Sequence, residues 1–194
     1  QARYNCVLRS IFGEIFEVDF SGDSYRLIHM GDVRFCPPPP GMGVAATLRA
    51  IAETNKNFCK ANMEAGVAGF FFASQCSQLT LMSEAEYREF GVPYDLDVIS
   101  TYQDKTYFNV VHIHGDNTMW SLMANYPVQC VNWHDRWSSP TMAEARKMSD
   151  KCFLGGINEK EFATMSADQV EGHMREAVQA AGRTTKMLHT VEQG

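Results

Sequence analysis

The 194-residue sequence predicts an α/β fold, a (β/α)8 barrel of which it forms part. Three observations predict it. From residue 44 onward, five strand-like runs alternate with helical segments, the pattern that right-handed βαβ crossovers impose on a parallel sheet. No Gly-x-Gly-x-x-Gly turn follows any of these runs, which argues against an open, dinucleotide-binding sheet. The polar residues gather after the carboxyl ends of the runs, where parallel α/β folds build their sites. A complete barrel takes about 250 residues, so this length, with Gln1 in place of Met and an end just after a strand, reads as a fragment.

Residues 1–43 form a lead-in of unclear structure, in which Ile11 to Phe20 and Tyr25 to Val33 suit strands or turns of helix. Cys36 to Gly43, with four consecutive prolines, is a rigid connector because proline fixes φ and removes a donor. Residues 44–194 then carry the βα units. Val44 to Ala65 has apolar residues at helical spacing (Ala45, Leu48, Ile51, Ala52, Phe58, Met63). Gly66 to Ala73 is a short apolar run, consistent with a buried strand. Ser83 to Phe90 opens as a capped helix, and Pro93 to Tyr102 is a second helical stretch.

Tyr107 to His114 is the next strand, ended by Gly115, and Asn117 to Ala124 is a helix with Asn117 as N-cap. Val128 to Trp133 and Cys152 to Ile157 are strands, with a helix over Pro140 to Ser149 between them. Ser166 to Ala181 is a strong helix with Val170, Met174, Ala177 and Val178 on one face, stopping near Gly182. Thr185 to Val191 is the last strand.

Composition narrows the function. A net charge of −6 without any Lys/Arg block excludes the basic footprint that nucleic-acid binding leaves. No apolar run approaches the roughly 18 residues of a membrane span, and no secretory signal is visible. The six cysteines show no CxxC pair and suit reduced, mostly buried thiols, which points to a cytoplasmic protein.

At the strand ends lie Gln75, then His112, His114 and Asp116, then Asn132, His134, Asp135 and Arg136, then Gly155, Gly156 and Asn158, and finally Glu192. His112 and His114 are two apart on a strand and so face one way, and paired imidazoles suit Zn²⁺. The same two residues also suit hydrogen-bonded barrel histidines without metal. Asp116 or Asp135 could orient an imidazole or serve as a ligand. His134-Asp135-Arg136 offers a general acid/base, an orienting carboxylate and an anion partner, or simply a salt-bridged loop. Gln75, Asn132, Arg136, Asn158 and Glu192 are candidate substrate contacts, and Gly155-Gly156 would let a small-molecule substrate approach the backbone.

Four segments carry a resemblance: Ala65 to Ala73, Ser83 to Tyr94 ending Phe90-Gly-Val-Pro-Tyr94, Val111-His-Ile-His-Gly115, and Leu154 to Asn158 followed by Met165 to Val170. In that order they resemble the uroporphyrinogen decarboxylase superfamily over residues 44 to 194. The resemblance implies a (β/α)8 barrel with its site in the mouth at the strand C-termini. It also implies one of two chemistries. One branch decarboxylates a tetrapyrrole without metal. Another transfers methyl groups between a corrinoid protein and a thiol, with zinc held by His-x-Cys and a later cysteine. His112 matches the branch histidine, His114 stands where the cysteine would be, and the third ligand is expected beyond residue 194. The expectation is therefore a zinc methyltransferase with His112 and His114 as ligands, Asp116, His134 and Asp135 as catalytic groups, and a methyl-corrinoid or another methyl donor. A metal-free decarboxylase and a non-catalytic tetrapyrrole or corrinoid binder are the alternatives.

Overall fold

The computed structural model describes residues 43–182 and four further strand backbones, at 7–9, 15–21, 24–29 and 187–190. Most of the proline connector and Glu192 lie outside the described residues. The chain divides into two compact units, Gln1–Ile51 and Ala52–Gly194.

The first unit holds an antiparallel sheet of β1 (Val7–Arg9), β2 (Ile15–Ser21) and β3 (Ser24–His29), in that order. Phe16, Val18 and Phe20 alternate with Glu17 and Asp19 along β2, the period-two pattern that settles strand over helix for this stretch. α1 (Val44–Glu64) begins in this unit and ends in the next.

The second unit is a five-stranded parallel sheet with helices between its strands. In chain order it contains β4 (Phe71–Ser74), α2 (Glu84–Phe90), α3 (Val92–Ile99), β5 (Val110–Ile113), α4 (Trp120–Met123), β6 (Cys130–Trp133), α5 (Met142–Met148), β7 (Cys152–Gly156), a 3₁₀ turn (Phe162–Thr164), α6 (Ala167–Ala181) and β8 (Met187–Thr190). The spatial order is β4-β5-β6-β7-β8, so each strand pairs with its successor in sequence. A doubly wound sheet reverses its order at a switch point, whereas a barrel does not. The described strands show no reversal. The fold is of the expected α/β class.

Local sequence explains the helix starts. Ser83, Thr141 and Ser166 are N-caps whose hydroxyls accept from the backbone of Glu86, Glu144 and Gln169, and each of those side chains returns a bond to the cap backbone. These reciprocal pairs satisfy donors that a helix start otherwise leaves open. One expected helix is corrected. Asn117 does not cap a helix over 117–124: it sits at φ 49°, and α4 covers only Trp120–Met123. Its left-handed backbone, tolerated by asparagine, belongs instead to the turn that follows β5.

Alternation along the strands divides the sheet's two faces. Val111, Ile113, Val131, Trp133 and Phe153 are at most 1% exposed and pack in one core with Trp120, Met123, Met142, Ala145 and Ala177. Trp133 lies edge-on to Trp120 and Phe153, with ring centroids 5.5 and 5.2 Å away, and donates its indole N–H to Pro140 O at 2.7 Å. The other face of β5 and β6 carries His112 and Asn132. Stability and chemistry are thus sorted by residue parity.

A polar cluster lies between β4 and α3. The hydroxyls of Tyr87 and Tyr126 both donate to Asp95 Oδ2 at 2.7 Å, and Tyr87 accepts in turn from Ser74 Oγ at 2.7 Å. Burial pushes the Asp95 carboxyl up to about 6, although both tyrosine donors act to lower it. A carboxyl whose folded value exceeds its unfolded one binds its proton more tightly when folded. Its contribution to stability is complete below pH ~4 and lost as pH rises through about 6. Asp95→Asn keeps an acceptor for both tyrosines and removes the titration. Urea unfolding at pH 4.5 and 7.5 should therefore show wild type losing about 2 kcal/mol relative to this variant across the interval. Parallel pH profiles for the two proteins would mean that Asp95 stays ionised throughout.

Candidate metal centre

The site forms where β5 and β6 end side by side. Their register pairs His112 with Asn132 and Ile113 with Trp133, so the next positions, His114 and His134, stand level. Ser74 pairs with Ile113, which brings Gln75 to the same level on the β4 side, and the pairing of Asn132 with Leu154 does so for Gly156 on β7. The His114 N–H donates to Ser74 O at 3.1 Å, continuing the ladder past the strand end. Gly115 then turns the chain away at φ 90°, with the Gln78 side chain only 2.4 Å from where a Cβ would sit. A larger residue there would meet both strain and a clash.

Three imidazoles converge. One ring nitrogen each from His112, His114 and His134 lies within 4.8 Å of the others, with His112 and His134 buried and His114 half-buried. His134 Nε2 lies 3.3 Å from His114 Nδ1. Two nitrogens bound to one tetrahedral Zn²⁺ at 2.0–2.1 Å would be about 3.4 Å apart. The donor set fits the metal that the resemblance implied.

The partners of two rings fix which nitrogen can serve as ligand. Asn132 Nδ2 donates to Leu154 O at 2.9 Å, which leaves Asn132 Oδ1 facing His112 Nδ1 at 2.7 Å. That ring nitrogen must carry the proton, so His112 keeps its lone pair on Nε2. Glu159 Oε1 lies 2.7 Å from His134 Nδ1 and accepts the Trp137 indole N–H at 2.5 Å. A carboxylate only accepts, so His134 is protonated on Nδ1 and turns the lone pair of Nε2 toward His114. Both rings are held in the tautomer a metal requires. Phe71 stacks on His112 with centroids 5.5 Å apart, and Trp137 stacks on His134 at 4.2 Å, giving the polar cluster aromatic walls.

Asp135 and Arg136 work behind this cluster. Asp135 is buried, and its Oδ1 accepts the Gly156 N–H at 2.9 Å. A Cβ on Gly155 would fall 2.4 Å from the same oxygen, so glycine is what lets that carboxylate reach the strand. Burial pushes the Asp135 carboxyl up, against the Gly156 bond and the Arg136 charge that hold it down. Arg136 donates to Gly156 O at 2.8 Å, to Glu176 at 3.1 Å and to His173 O. Its guanidinium is taken up in joining β7 to α6.

The remaining candidates separate. Asn132 is buried against His112 as described. Asp116 is exposed on the turn after β5 and is outside the imidazole cluster. Gln75 is exposed at the end of β4, where its carbonyl accepts from Gln78. Asn158 is half-buried and closes a turn by accepting the Lys160 N–H at 3.2 Å.

Glu159 and Trp137 were not singled out from sequence, and His134 was assigned to acid–base work rather than to the metal set. A signal for His134 was present. Val111-His-Ile-His114 and Val131-Asn-Trp-His134 have the same apolar–polar alternation at an offset of 20 residues. In a parallel pair that offset puts His134 beside His114. Nothing comparable marked Glu159, which arrives on a loop after β7.

A family model described as uroporphyrinogen decarboxylase (URO-D) matches residues 42–190, the stretch that contains all five parallel strands and all three imidazoles. No curated protein matches the chain.

Proposed function

Because the chain belongs to the uroporphyrinogen decarboxylase family, a family of (β/α)8 barrel enzymes, we propose that it carries out metal-dependent methyl transfer from a methyl-corrinoid donor to a thiol. The observation that supports this reading is the convergence of His112, His114 and His134, with two of the three tautomers fixed by Asn132 and Glu159. These three imidazoles would hold Zn²⁺. The bound ion supplies Lewis acidity, which makes a thiol a thiolate near neutral pH.

The protein's own residues do the rest. Asn132 and Glu159 keep Nδ1 of His112 and His134 protonated, so neither ring has to change tautomer when ligands assemble. Phe71 and Trp137 keep water from one side of each ring. Asp135 and Arg136 fix Gly155-Gly156 at the end of β7, level with His134. Gln75, exposed at the level of His114, is positioned to meet a small-molecule acceptor. A corrinoid protein would be the partner that delivers the methyl group. Arg136, engaged on the protein itself, is poorly placed to bind the carboxylates of a tetrapyrrole.

Elemental analysis of protein purified without chelator is the test. About one zinc per chain is expected, and a His112→Ala, His114→Ala double variant should lose it. No stoichiometric metal would overturn the reading, and the His134–Glu159 pair would then be recast as a proton-transferring dyad in a decarboxylase-like site.

A further inference from the structure

The cluster draws on a loop that the metal reading does not itself require. After β7 the chain turns through Asn158 and sends Glu159 back to the histidines of the neighbouring strand ends. Glu159 Oε1 accepts the Trp137 indole N–H at 2.5 Å and lies in ion-pair contact with His134 Nδ1, 2.7 Å away. The carboxylate side chain is only 11% exposed, so it is held largely out of water. A buried carboxylate is costly unless it is well paired, and here both donors are N–H groups at hydrogen-bond distance.

The same loop presses on the site a second time. Lys160 places its ammonium 3.3 Å from the centre of the Trp137 ring. His134 is stacked on Trp137 with centroids 4.2 Å apart and planes 21° from parallel. Two groups so close cannot share one face of the indole, so the ring is sandwiched between the imidazole and the ammonium. Consecutive residues of one loop thus act on His134 in two ways. Glu159 sets its protonation pattern, and Lys160 with Trp137 sets its plane.

We propose that Glu159 is a positioning residue for the candidate metal centre, holding His134 in its Nδ1-protonated form with Nε2 directed at the ion, and that Trp137 is its structural counterpart. The proposal rests on the reading of His112, His114 and His134 as ligands. His112 has a neutral amide in the corresponding place, and His134 has a carboxylate. Either acceptor keeps the proton on Nδ1, and a carboxylate also raises the basicity of the ring. It also couples the β7 loop to metal loading: whatever moves Glu159 away weakens the site without touching any ligand.

The test compares zinc affinity of the full chain, by competition with a chromophoric chelator, for wild type, Glu159→Ala and Glu159→Gln. Glu159→Ala should weaken binding by roughly 10–100-fold, the range for a lost hydrogen-bond partner of a ligand histidine. Glu159→Gln keeps an acceptor oxygen for both donors and should recover most of that loss. A second readout needs no metal. Ring ¹⁵N shifts of His134 in metal-free protein should report a single Nδ1-protonated tautomer in wild type and Glu159→Gln, and a mixture in Glu159→Ala. A merely structural residue would change thermal stability and leave the tautomer alone. Wild type that takes up no zinc sinks the metal reading and this proposal together. Wild type that binds zinc, with Glu159→Ala binding equally well and showing the same tautomer, sinks the proposal alone. Should Glu159→Ala fail to fold, Glu159→Gln decides: a zinc affinity and tautomer unlike wild type's overturn the proposal.

Discussion

His134→Ala is expected to abolish stoichiometric zinc binding while leaving the fold in place. With three imidazoles as the donor set among the described residues, removing one leaves two, too few to hold zinc against water. The affinity loss should therefore exceed the roughly 10–100-fold that follows from losing a partner outside the coordination sphere. Circular dichroism should be unchanged, because His134 lies at a strand end and takes no part in the apolar core. The measurement is chelator competition on matched samples of wild type and variant. If the variant retains one zinc at wild-type affinity, His134 is not a ligand. The 3.3 Å approach to His114 is then an ordinary imidazole hydrogen bond, and the acid–base role suggested by His134-Asp135-Arg136 becomes the better account.

The largest effect on stability should come from the opposite face of the same strand. Trp133 is 1% exposed, packs against Trp120 and Phe153, and donates to Pro140 O. Truncation to alanine removes a large apolar side chain from a close-packed region and leaves that carbonyl without its donor. Such changes cost about 3–5 kcal/mol, of the same order as the whole stability of a small domain. Guanidinium unfolding of Trp133→Ala should show a much lower midpoint with an unchanged slope. A loss below about 1 kcal/mol would mean that the surrounding helices collapse into the vacated space.

How far the sequence foretold this molecule depends on which interactions are local. Capped helix starts at Ser83 and Ser166 were legible because the cap and its partner lie three residues apart. The strands at 110–113 and 130–133 were legible because their apolar positions are consecutive or alternate. The helix expected at Asn117 misled because the residue types for an N-cap and for a left-handed turn overlap, and only the structure shows φ 49° there. The His112–His114 pairing was visible as a spacing along one strand. Recruitment of His134 needed the register between two strands, which a 20-residue offset encodes only once those strands are known to be neighbours. Glu159 needed more. Its loop shares no periodicity with the strands, and its reach to His134 across 25 positions is set by how β6 and β7 align. Arg136 reads as a substrate anion partner in sequence, yet its role in joining β7 to α6 depends on backbone carbonyls that carry no sequence signature.

The level alignment of Gln75, His114, His134 and Gly156 has a consequence for how such a site can change. Each position is a socket whose location is set by main-chain ladder bonds, which are indifferent to the side chain plugged into it. The residues that hold the sheet together lie on its other face. Exchanging an imidazole for a thiolate or a carboxylate at one socket therefore alters the charge around a bound ion without asking the scaffold to repack. The barrel mouth is in this sense a rack of interchangeable donors, and the chemistry of its occupant can drift while the architecture stands still.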